Sequence, residues 1–306
     1  MNRKEIDKLS KAPLEELIIE AGRVRREKAG SDIELCGIVN AKSGSCPEDC
    51  KFCAQSAHHC AGISEYPLKS IKEITQAARE AKDNGAGRFG IVTSGNRLTG
   101  AELDIICGAI KEINNDVGIA VCASLGALDE NNFRALKDAG LARYHHNIET
   151  SERFYPEIVS THEYIERINT IKTAKAAGFQ VCSGGIIGLG ENWSDRIDMA
   201  FLLKELDVDA VPINVLVPVE GTPMGRAKKI SPFDVIRTIA IFRIVMEGKG
   251  VKVIAGRETV LQDFGALMYM SGANGMMVGG YLTIAGRTVA EDLELVEKVR
   301  RLWKEE

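Results

Sequence analysis

The chain has 306 residues, 45% of them hydrophobic, which is enough to bury a sizeable core in one large domain. Its formal net charge of −4 indicates neither a nucleic-acid partner nor binding to an anionic membrane. No window approaches 18 continuous apolar residues, so we expect no transmembrane span. The N-terminus has no apolar signal-peptide region, and eight cysteines without one indicate reduced thiols in the cytoplasm.

Short apolar strands alternate with helical stretches along the chain. An amphipathic helix is predicted over residues 14–28, with Pro13 at its start. The predicted strands are 33–40, 87–93, 117–123, 142–148, 178–184, 209–215, 251–256 and 275–279. Helical patterns between them include 70–84, 129–139, 161–177 and 230–247.

Eight strands alternating with helices over about 250 residues predict an α/β fold, a (β/α)8 barrel of the TIM type. An open doubly wound sheet is the alternative. We predict one domain over residues 1–306, with a helical extension at 1–30, the barrel at 31–290 and a C-terminal helix at 291–306. Catalytic groups of such barrels lie at the carboxyl ends of the strands, so the loop after the first strand should cap the barrel.

That loop contains the most informative pattern of the chain, Cys46-x3-Cys50-x2-Cys53 in SGSCPEDCKFCAQS. Three thiolates so close in sequence can hold three corners of a [4Fe–4S] cluster, which normally takes four cysteines. The fourth iron is then open to a substrate or cofactor. A structural zinc site is the alternative, because residues 58–60 (HHC) lie nearby, although zinc would normally have a fourth ligand at knuckle spacing.

The cysteine spacing resembles the signature of the radical S-adenosylmethionine (SAM) superfamily, in which the open iron chelates SAM and an electron cleaves it to a 5′-deoxyadenosyl radical. The segments YHHNIETS, VCSGGIIGLGE, VPINVLVPVEGTP and AGRE follow in the order seen in the biotin synthase family. The resemblance covers nearly the whole chain. It implies a radical SAM barrel that inserts sulfur into dethiobiotin, a sulfurtransferase served by an electron donor such as flavodoxin or ferredoxin, and a homodimer.

The resemblance also assigns the residues that bind SAM. Phe52 fits the aromatic residue beside the adenine, and Val217 matches a main-chain contact to it. Glu149 matches the acidic ligand of the SAM ribose, where aspartate is usual. Arg167 matches an arginine that pairs with the SAM carboxylate, and Asn147 an asparagine shared between SAM and dethiobiotin.

Alternation along the fourth strand places His145 on the same face as Asn147 and Glu149, and His146 on the opposite face. His145 stands where the family usually has another asparagine, while His146 is interpreted as a satisfied structural histidine. Asn214 is an amide among apolar neighbours, and buried amides need partners, which a ureido ring offers. The family uses this asparagine for that contact. Residues 283–285 match main-chain donors for the carboxylate tail of the substrate.

Biotin synthases carry a second, auxiliary cluster deeper in the barrel. Its commonest form is [2Fe–2S], held by three cysteines and one arginine. Cys122, Cys182 and Arg257 match three of these ligands, on the third, fifth and seventh strands, so Arg257 is expected in the catalytic site with Asn147 and Asn214. Alternate strands supply one layer of a barrel interior. The remaining ligand position is Gly90 in this chain.

Cys36, on the first strand, replaces what is commonly a serine beside the arginine ligand. We infer an auxiliary cluster held by Cys36, Cys122 and Cys182, with Cys60 as a rival or additional ligand. This resembles biotin synthases of anaerobes with a four-iron auxiliary cluster, in which three thiolates leave one iron free for an extra sulfide. Alternatively, Cys36 is a small buried hydrophobe and Cys60 a loop thiol. Cys107 is predicted to be core.

Two other functions stay open at this point. One is a biotin-synthase-like radical SAM enzyme of another pathway, such as a hydrogenase-cofactor maturase or methylornithine synthase. The other is a non-catalytic iron–sulfur or zinc protein. Formation of 5′-deoxyadenosine from SAM separates an enzyme from a carrier, and its stimulation by dethiobiotin separates the two enzymes.

Overall fold

The computed structural model describes residues 1–282 and 286–304. Its strands form a single sheet in which every pair is parallel. In chain order they are β1 (Glu34–Lys42), β2 (Arg88–Thr93), β3 (Ala120–Ser124), β4 (Arg143–His145), β5 (Gln180–Cys182), β6 (Gly185–Ile187), β7 (Ala210–Val215), β8 (Gly250–Val253) and β9 (Gly275–Met277).

The sheet closes into a barrel. Its order is β5-β4-β3-β2-β1-β9-β8-β7, and β7 pairs back with β5. β6 also pairs with β7 and follows β5 after two residues, so the two strands share one place in the ring; β5 lies within the predicted strand 178–184, and β6 lies just beyond its predicted end. The ring therefore has eight positions, which confirms the predicted (β/α)8 barrel over the open doubly wound sheet.

Helices cover the outside of the barrel. They are α1 (Arg3–Leu9), α2 (Leu14–Val24), α3 (Ile71–Asp83), α4 (Gly100–Glu112), α5 (Glu130–Asp138), α6 (Tyr164–Ala176), α7 (Trp193–Glu205), α8 (Pro232–Met246), α9 (Arg257–Leu261), α10 (Leu267–Met270) and α11 (Val289–Lys304). The predicted helix 14–28 corresponds to α2 and the π-helical turn Arg25–Ala29 that follows it. None of the described helices has the length and apolar character needed to cross a membrane.

Local capping fixes where several helices begin. The side chains of four N-cap residues accept a hydrogen bond from the main chain three residues later, and the side chain at that third position bonds back to the cap. These N-caps are Ser70, Thr99, Asp129 and Asn192. Each cap follows a loop at the carboxyl end of the barrel, so the helices hold those loops in place.

The N-terminal helices lie outside the ring. α2 packs against α8 through a buried stripe of Leu17, Ala21 and Val24, and α1 packs against α7. This stripe is the face that the amphipathic pattern predicts. At the other end of the chain, α11 begins at Val289, two residues before the predicted boundary, and buries Val296, Val299 and Trp303.

Candidate active site

The segment between β1 and α3 folds back on itself and holds three thiols in one loop, the cluster loop (residues 46–53). The main chain of Cys46 is bonded on both sides, since its N–H donates to Gln55 O (3.0 Å) and its carbonyl accepts from Ala57 N (2.7 Å). Within the loop, the N–H of Cys53 donates to Cys50 O (2.9 Å). The cluster loop is therefore a compact turn at the carboxyl end of β1.

Burial sets the chemistry of these thiols. It raises the pKa of Cys50, and that of Cys53 to about 11, and the charges of neighbouring thiols in the loop act in the same direction. A metal reverses this effect, because a coordinating thiol is deprotonated. Among the described residues no three His, Cys, Asp or Glu side chains meet as a single metal ion requires. The thiolates of a [4Fe–4S] cluster bind separate irons, so three thiols in one loop fit such a cluster.

A hydrogen-bonded group that the sequence does not indicate lies behind the cluster loop. His162 Nε2 is 3.8 Å from Cys50 Sγ, and His162 Nδ1 is 2.6 Å from the hydroxyl oxygen of Tyr155. Nε of Arg167 donates to the same hydroxyl oxygen (2.6 Å), and its NH1 donates to the carbonyl of Asn147 (3.1 Å). The start of α6 is thereby tied both to the cluster loop and to the residues after β4.

Glu149 lies in the turn that follows β4. Its backbone has a φ of +67°, a left-handed conformation that residues with a side chain seldom adopt. Asn147 Nδ2 donates to Glu149 Oε2 (3.3 Å), and NH1 of Arg167 is 3.8 Å from Oε1. Burial raises the pKa of Glu149, while the charge of Arg167 and the bond from Asn147 oppose that rise. A buried carboxylate with vacant acceptor positions suits a ligand that brings hydroxyl donors.

Two consecutive glycines make this turn possible. A Cβ atom on Gly184 would lie 1.9 Å from the carbonyl oxygen of Pro212, and one on Gly185 would lie 2.2 Å from that of Glu149. The main chains approach too closely for any other residue at these two positions. Because the N–H of Gly184 donates to Asn147 Oδ1 (3.1 Å), the same close approach also orients the asparagine.

Asn214 lies on β7, opposite this turn. Its Nδ2 donates to Gly185 O (3.3 Å), and its Oδ1 accepts from Ala255 N (3.2 Å), so the amide joins two neighbouring strands. Phe52 and Val217 line the same space, from the cluster loop and from the residues after β7. These side chains come from separate elements and are brought together only by the closed barrel.

One cavity of about 430 Å³ runs from the cluster loop into the barrel. That volume is typical of a small-molecule site. At the loop end its lining includes Phe52 and Cys53. The middle of its wall includes His145, Asn147, Glu149, Asn214 and Val217, all of them predicted to lie near the ligand. Arg167 is not among the lining residues and lies behind Glu149 instead.

The inner end of the cavity is lined by three thiols, the floor thiols Cys36, Cys122 and Cys182. They come from β1, β3 and β5, alternate strands of the barrel, as the predicted layer requires. Burial raises the pKa of Cys122, and that of Cys182 to about 12, and the charge of Cys36 adds to both shifts. The structure thus gathers the predicted cysteines at one end of the cavity.

Three cations accompany the floor thiols, the floor cations Arg88, Arg143 and Lys252. All three pair with Glu34, at 3.0 Å for Arg88 and 2.9 Å for Arg143. The ammonium of Lys252 also lies 3.2 Å from Cys36 Sγ. Burial alone would raise the pKa of Glu34, but the charges of Lys252, Arg143 and Arg88 lower it to about 2. The floor therefore carries more positive than negative charge unless anionic sulfur is present.

Comparison with known proteins identifies the family of this chain. Residues 42–203 match the model of the Radical SAM superfamily, and residues 212–299 match that of the Biotin and Thiamin Synthesis associated domain. A biotin synthase of Pelobacter propionicus is 48% identical over 286 residues, with 93% of this chain and 87% of that protein covered. A biotin synthase of Thermotoga petrophila is 47% identical, with 94% and 96% covered. The chain belongs to the biotin synthase family.

Two solved structures with the same fold are more distant in sequence than these relatives. Methylornithine synthase (PylB) has a TM-score of 0.83 at 18% identity, with 97% of this chain and 92% of that one covered. The FeFe-hydrogenase maturase HydG from Carboxydothermus hydrogenoformans has a TM-score of 0.83 at 19% identity, with 97% and 74% covered. These likenesses show the fold alone. They are the two rival enzymes considered from the sequence, and the family assignment favours biotin synthase over both.

The placement of Arg257 among the auxiliary ligands is wrong. Arg257 is the first residue of α9 rather than part of a strand, and it does not line the cavity of this biotin synthase family member. Its NH2 donates to both carboxylate oxygens of Asp292 (2.9 Å each), and its NH1 pairs with Glu258 (3.0 Å). Asp292 is fully buried, and a buried charge needs such a partner. The cation beside the floor thiols is Lys252 on β8.

Gly90, which stands where the biotin synthase family has a ligand cysteine, lines the cavity on β2 and pairs with Cys122 in the sheet. A Cβ atom there would meet Ile38 Cγ2 at 3.1 Å, so part of the space beside it is filled. Cys60 is exposed, bonds through its main-chain N–H to Gly221 O (3.2 Å), and does not line the cavity. Of Cys36 and Cys60, the two cysteines considered as replacement ligands, only Cys36 lies in the cavity beside Cys122 and Cys182.

The two histidines at the end of β4 differ as the alternation predicts. His145 lines the cavity, and burial together with the charge of Lys252 lowers its pKa to about 4, so its ring is neutral at pH 7. His146 is buried away from the cavity against Tyr144, and its Nε2 has no hydrogen-bond partner among the described residues, so it is not the satisfied histidine that we expected. The predicted donors Thr283–Ala285 lie outside the described residues.

Proposed function

We propose that this member of the biotin synthase family converts dethiobiotin to biotin by SAM-dependent insertion of sulfur. The observation that carries the proposal is the single cavity, with the cluster loop at one end and the floor thiols at the other. Asn147 and Asn214 line the space between them. A substrate held there would face a radical source on one side and a sulfur source on the other, as the reaction requires.

The chain's own residues have to bind and orient the cofactors and exclude water. When bound, the [4Fe–4S] cluster with SAM supplies the radical that removes hydrogen from dethiobiotin, and the auxiliary cluster supplies sulfur. We propose that the cluster-loop thiols hold the first cluster, that Phe52 packs on the adenine and that Val217 contacts it through its main chain. Glu149 would accept hydrogen bonds from the ribose hydroxyls of SAM. Asn147 would donate a hydrogen bond to the amino acid part of SAM.

The proposed pairing of Arg167 with the SAM carboxylate requires movement of its side chain. Its guanidinium is held by Tyr155 and by the carbonyl of Asn147, behind Glu149. In this position Arg167 supports the turn that carries Glu149, since it places a positive charge 3.8 Å from the carboxylate. We therefore propose a positioning role for Arg167 in addition to the contact implied by the family.

For the auxiliary site we infer a four-iron cluster with an extra sulfide rather than an ordinary [2Fe–2S] cluster. Three floor thiols are available, but two of the four ligands of the ordinary site are missing, because Gly90 has no thiol and Arg257 is paired with Asp292. Three thiolates leave one iron of a four-iron cluster open for a non-protein ligand. The floor cations fit a site that holds several anionic sulfur atoms.

The direct test is to incubate the anaerobically reconstituted protein with SAM and a reductant, with and without dethiobiotin, and to measure 5′-deoxyadenosine and biotin. We expect dethiobiotin to increase 5′-deoxyadenosine formation and biotin to appear. A non-catalytic iron–sulfur or zinc protein forms neither product. A related radical SAM enzyme of another pathway forms 5′-deoxyadenosine without a response to dethiobiotin. The family further implies a flavodoxin- or ferredoxin-type donor, a homodimer and a cytoplasmic location, which stay predictions.

Asn214→Ala should weaken dethiobiotin binding while SAM binding is unchanged. We propose that the amide of Asn214 exchanges its strand partners for the ureido group, and an unpaired polar atom in a buried site costs about 1–3 kcal/mol. That cost corresponds to roughly ten- to a hundredfold weaker binding. Calorimetric titration with each ligand measures both affinities, and the melting temperature shows whether the β7–β8 link survives. An unchanged affinity for dethiobiotin would indicate a different substrate.

A further inference from the structure

The floor of the cavity has an excess of buried positive charge. Arg143 and Lys252 are 6% and 4% exposed, and Arg88 lies beside them. Glu34 is the carboxylate that pairs with all three floor cations within the described chain. Buried cations are rarely left without anionic partners, because their desolvation is costly. Even without the partly exposed Arg88, the buried pair Arg143 and Lys252 exceeds the single charge of Glu34, which indicates that an anion binds between these cations and the floor thiols.

Lys252 is the floor cation placed best to bind such an anion. It interrupts the apolar run of β8, and its side chain enters the cavity rather than the surrounding core. Its ammonium pairs with Glu34 and lies 3.2 Å from Cys36 Sγ. A lysine ammonium has three N–H donors, and these two are its partners among the described residues. One N–H is available for a ligand in the cavity.

We propose that Lys252 binds inorganic sulfide at the auxiliary site, with its third N–H donated to the sulfide sulfur and a second N–H donated to the thiolate of Cys36. Charge-assisted hydrogen bonds of this kind are stronger than neutral ones. Arg88 and Arg143 hold Glu34 in place below and thereby orient the ammonium. The inference rests on the proposed auxiliary cluster, and it assigns to Lys252 the place in which the sequence led us to expect Arg257.

The test is the ratio of acid-labile sulfide to iron in the full-length protein. The wild type, Lys252→Met and Lys252→Arg are each reconstituted anaerobically with iron and excess sodium sulfide, desalted and assayed. In the wild type we expect sulfide to exceed iron. In Lys252→Met, which removes the charge at similar length, the excess should disappear. Lys252→Arg retains a cation and should retain part of the excess.

The outcomes separate the inference from the proposed function. If wild-type sulfide does not exceed iron, the four-iron site with an extra sulfide is wrong, and the inference fails with it. If the wild type shows the excess and Lys252→Met shows the same excess, the inference alone is overturned. Melting temperatures show whether a variant has lost its fold. If Lys252→Met has lost its fold, the sulfide-to-iron ratio of Lys252→Arg is the test of the inference. Loss of the excess in a folded Lys252→Arg variant would also contradict a role that depends on a cation.

A second inference rests on the outer surface beside the cluster loop. Lys51, between the ligands Cys50 and Cys53, is exposed, and its carbonyl accepts from Met224 N (3.3 Å). The segment that contains Met224 continues into the exposed residues Arg226, Lys228 and Lys229. None of these four cations forms an ion pair with a described residue, and Glu220 is the one acidic residue in the segment 216–231. The segment 216–231 is thus net positive, whereas the chain as a whole has a net charge of −4.

An exposed aromatic pair lies next to these cations. Phe233 and Phe264 are 52% and 40% exposed, and their rings pack edge to face with centroids 5.4 Å apart. Phe233 is the second residue of α8 and lies four residues after Lys229. Aromatic residues are enriched at protein interfaces, and clustered positive charge attracts an acidic partner. We infer that the surface of Lys51, Arg226, Lys228, Lys229 and the phenylalanine pair binds the acidic protein that donates electrons to the cluster.

The double variant Lys228→Glu/Lys229→Glu should slow turnover with a flavodoxin or ferredoxin donor by roughly tenfold or more at low ionic strength. Turnover driven by dithionite should be unchanged, because this small reductant needs no docking surface. The matched control is Lys111→Glu/Arg134→Glu, which makes the same charge change at exposed positions on α4 and α5. Added salt should reduce the difference between the wild type and the variant.

Two results would overturn this inference. One is a donor-dependent rate equal to that of the control variant. The other is an equal loss with dithionite, since the substitutions would then affect the catalytic site rather than docking. The test does not depend on whether dethiobiotin is the substrate, because the rate of 5′-deoxyadenosine formation measures electron delivery by itself.

Discussion

Alanine at any one of Cys46, Cys50 and Cys53 should abolish the formation of 5′-deoxyadenosine from SAM. Each thiolate would hold one iron of the [4Fe–4S] cluster, and the iron without a protein ligand is where SAM binds. The histidine rings near the loop already have hydrogen-bond partners, since His58 bonds to Pro47 O (2.9 Å), His59 to Cys53 O (2.9 Å) and His162 to the hydroxyl of Tyr155 (2.6 Å). The measurement is product analysis after anaerobic reconstitution, with the iron content of each variant determined in parallel.

Cys107→Ala is the matched control. This thiol lies on α4, partly buried against the core as its helical pattern predicts, and it does not line the cavity. It removes one of eight cysteines without touching either proposed cluster, so cleavage of SAM should be retained. Cleavage near the wild-type rate by any of the three cluster-loop variants would rule out a three-thiolate cluster.

The barrel itself is predictable from the sequence, because buried parallel strands are short apolar runs separated by helices of suitable length. All eight predicted strands have a counterpart in the ring. The boundaries are less accurate. The predicted strand 117–123 starts only at Ala120, since residues before it form the π-helical turn Ile113–Val117 and a left-handed Gly118. Apolar residues such as Ile113 and Val117 are buried in either structure, so the pattern does not separate the two.

The fifth predicted strand ends too early, because the ring continues into β6, and the break between β5 and β6 has a different cause. Apolar pattern and β-propensity continue through 178–187, but the chain bends at the glycines 184 and 185 to pass close to Pro212 and to the turn at Glu149. The two glycines signal close approach in the sequence. Which main chain they approach depends on contacts between segments distant in sequence, and those follow only from the closed barrel.

The positions of the charged residues were the least predictable part of the site. Arg257 and Lys252 lie five residues apart, and either could face the barrel interior on alternation alone. Which of the two faces the interior depends on the ion pairs that they form. The buried carboxylate of Asp292 on α11 pairs with Arg257, and Lys252 lies beside the floor thiols. The contact of His162 with Cys50 could not be predicted from the sequence either, because it joins residues 112 positions apart.

Cys36→Ser should separate the two proposed clusters. Serine is nearly isosteric with cysteine, and its hydroxyl can keep the contacts that the thiol makes with Lys252 and Glu34. The cluster loop is at the other end of the cavity and does not depend on Cys36. We therefore expect the variant to fold, to retain the cluster-loop iron and to cleave SAM.

The same variant should lose auxiliary iron and form no biotin. A neutral hydroxyl is a poor ligand for iron in comparison with a thiolate, and Cys122 and Cys182 alone would leave the cluster with two protein ligands. Iron and sulfide assays, Mössbauer spectra and biotin analysis measure this loss, and the melting temperature checks the fold. Because lost packing cannot explain retained SAM cleavage together with lost auxiliary iron, that combination identifies Cys36 as a ligand.

Cys60→Ser is the matched control, since it makes the same chemical change at an exposed thiol outside the cavity. If Cys36 is the ligand, Cys60→Ser keeps its auxiliary iron and forms biotin. The reverse result, with full iron and biotin formation in Cys36→Ser and their loss in Cys60→Ser, would require the exposed loop that carries Cys60 to move into the barrel. Cys36 would then be a small core residue that packs beside Lys252, and the charge of the floor cations would need another anionic partner.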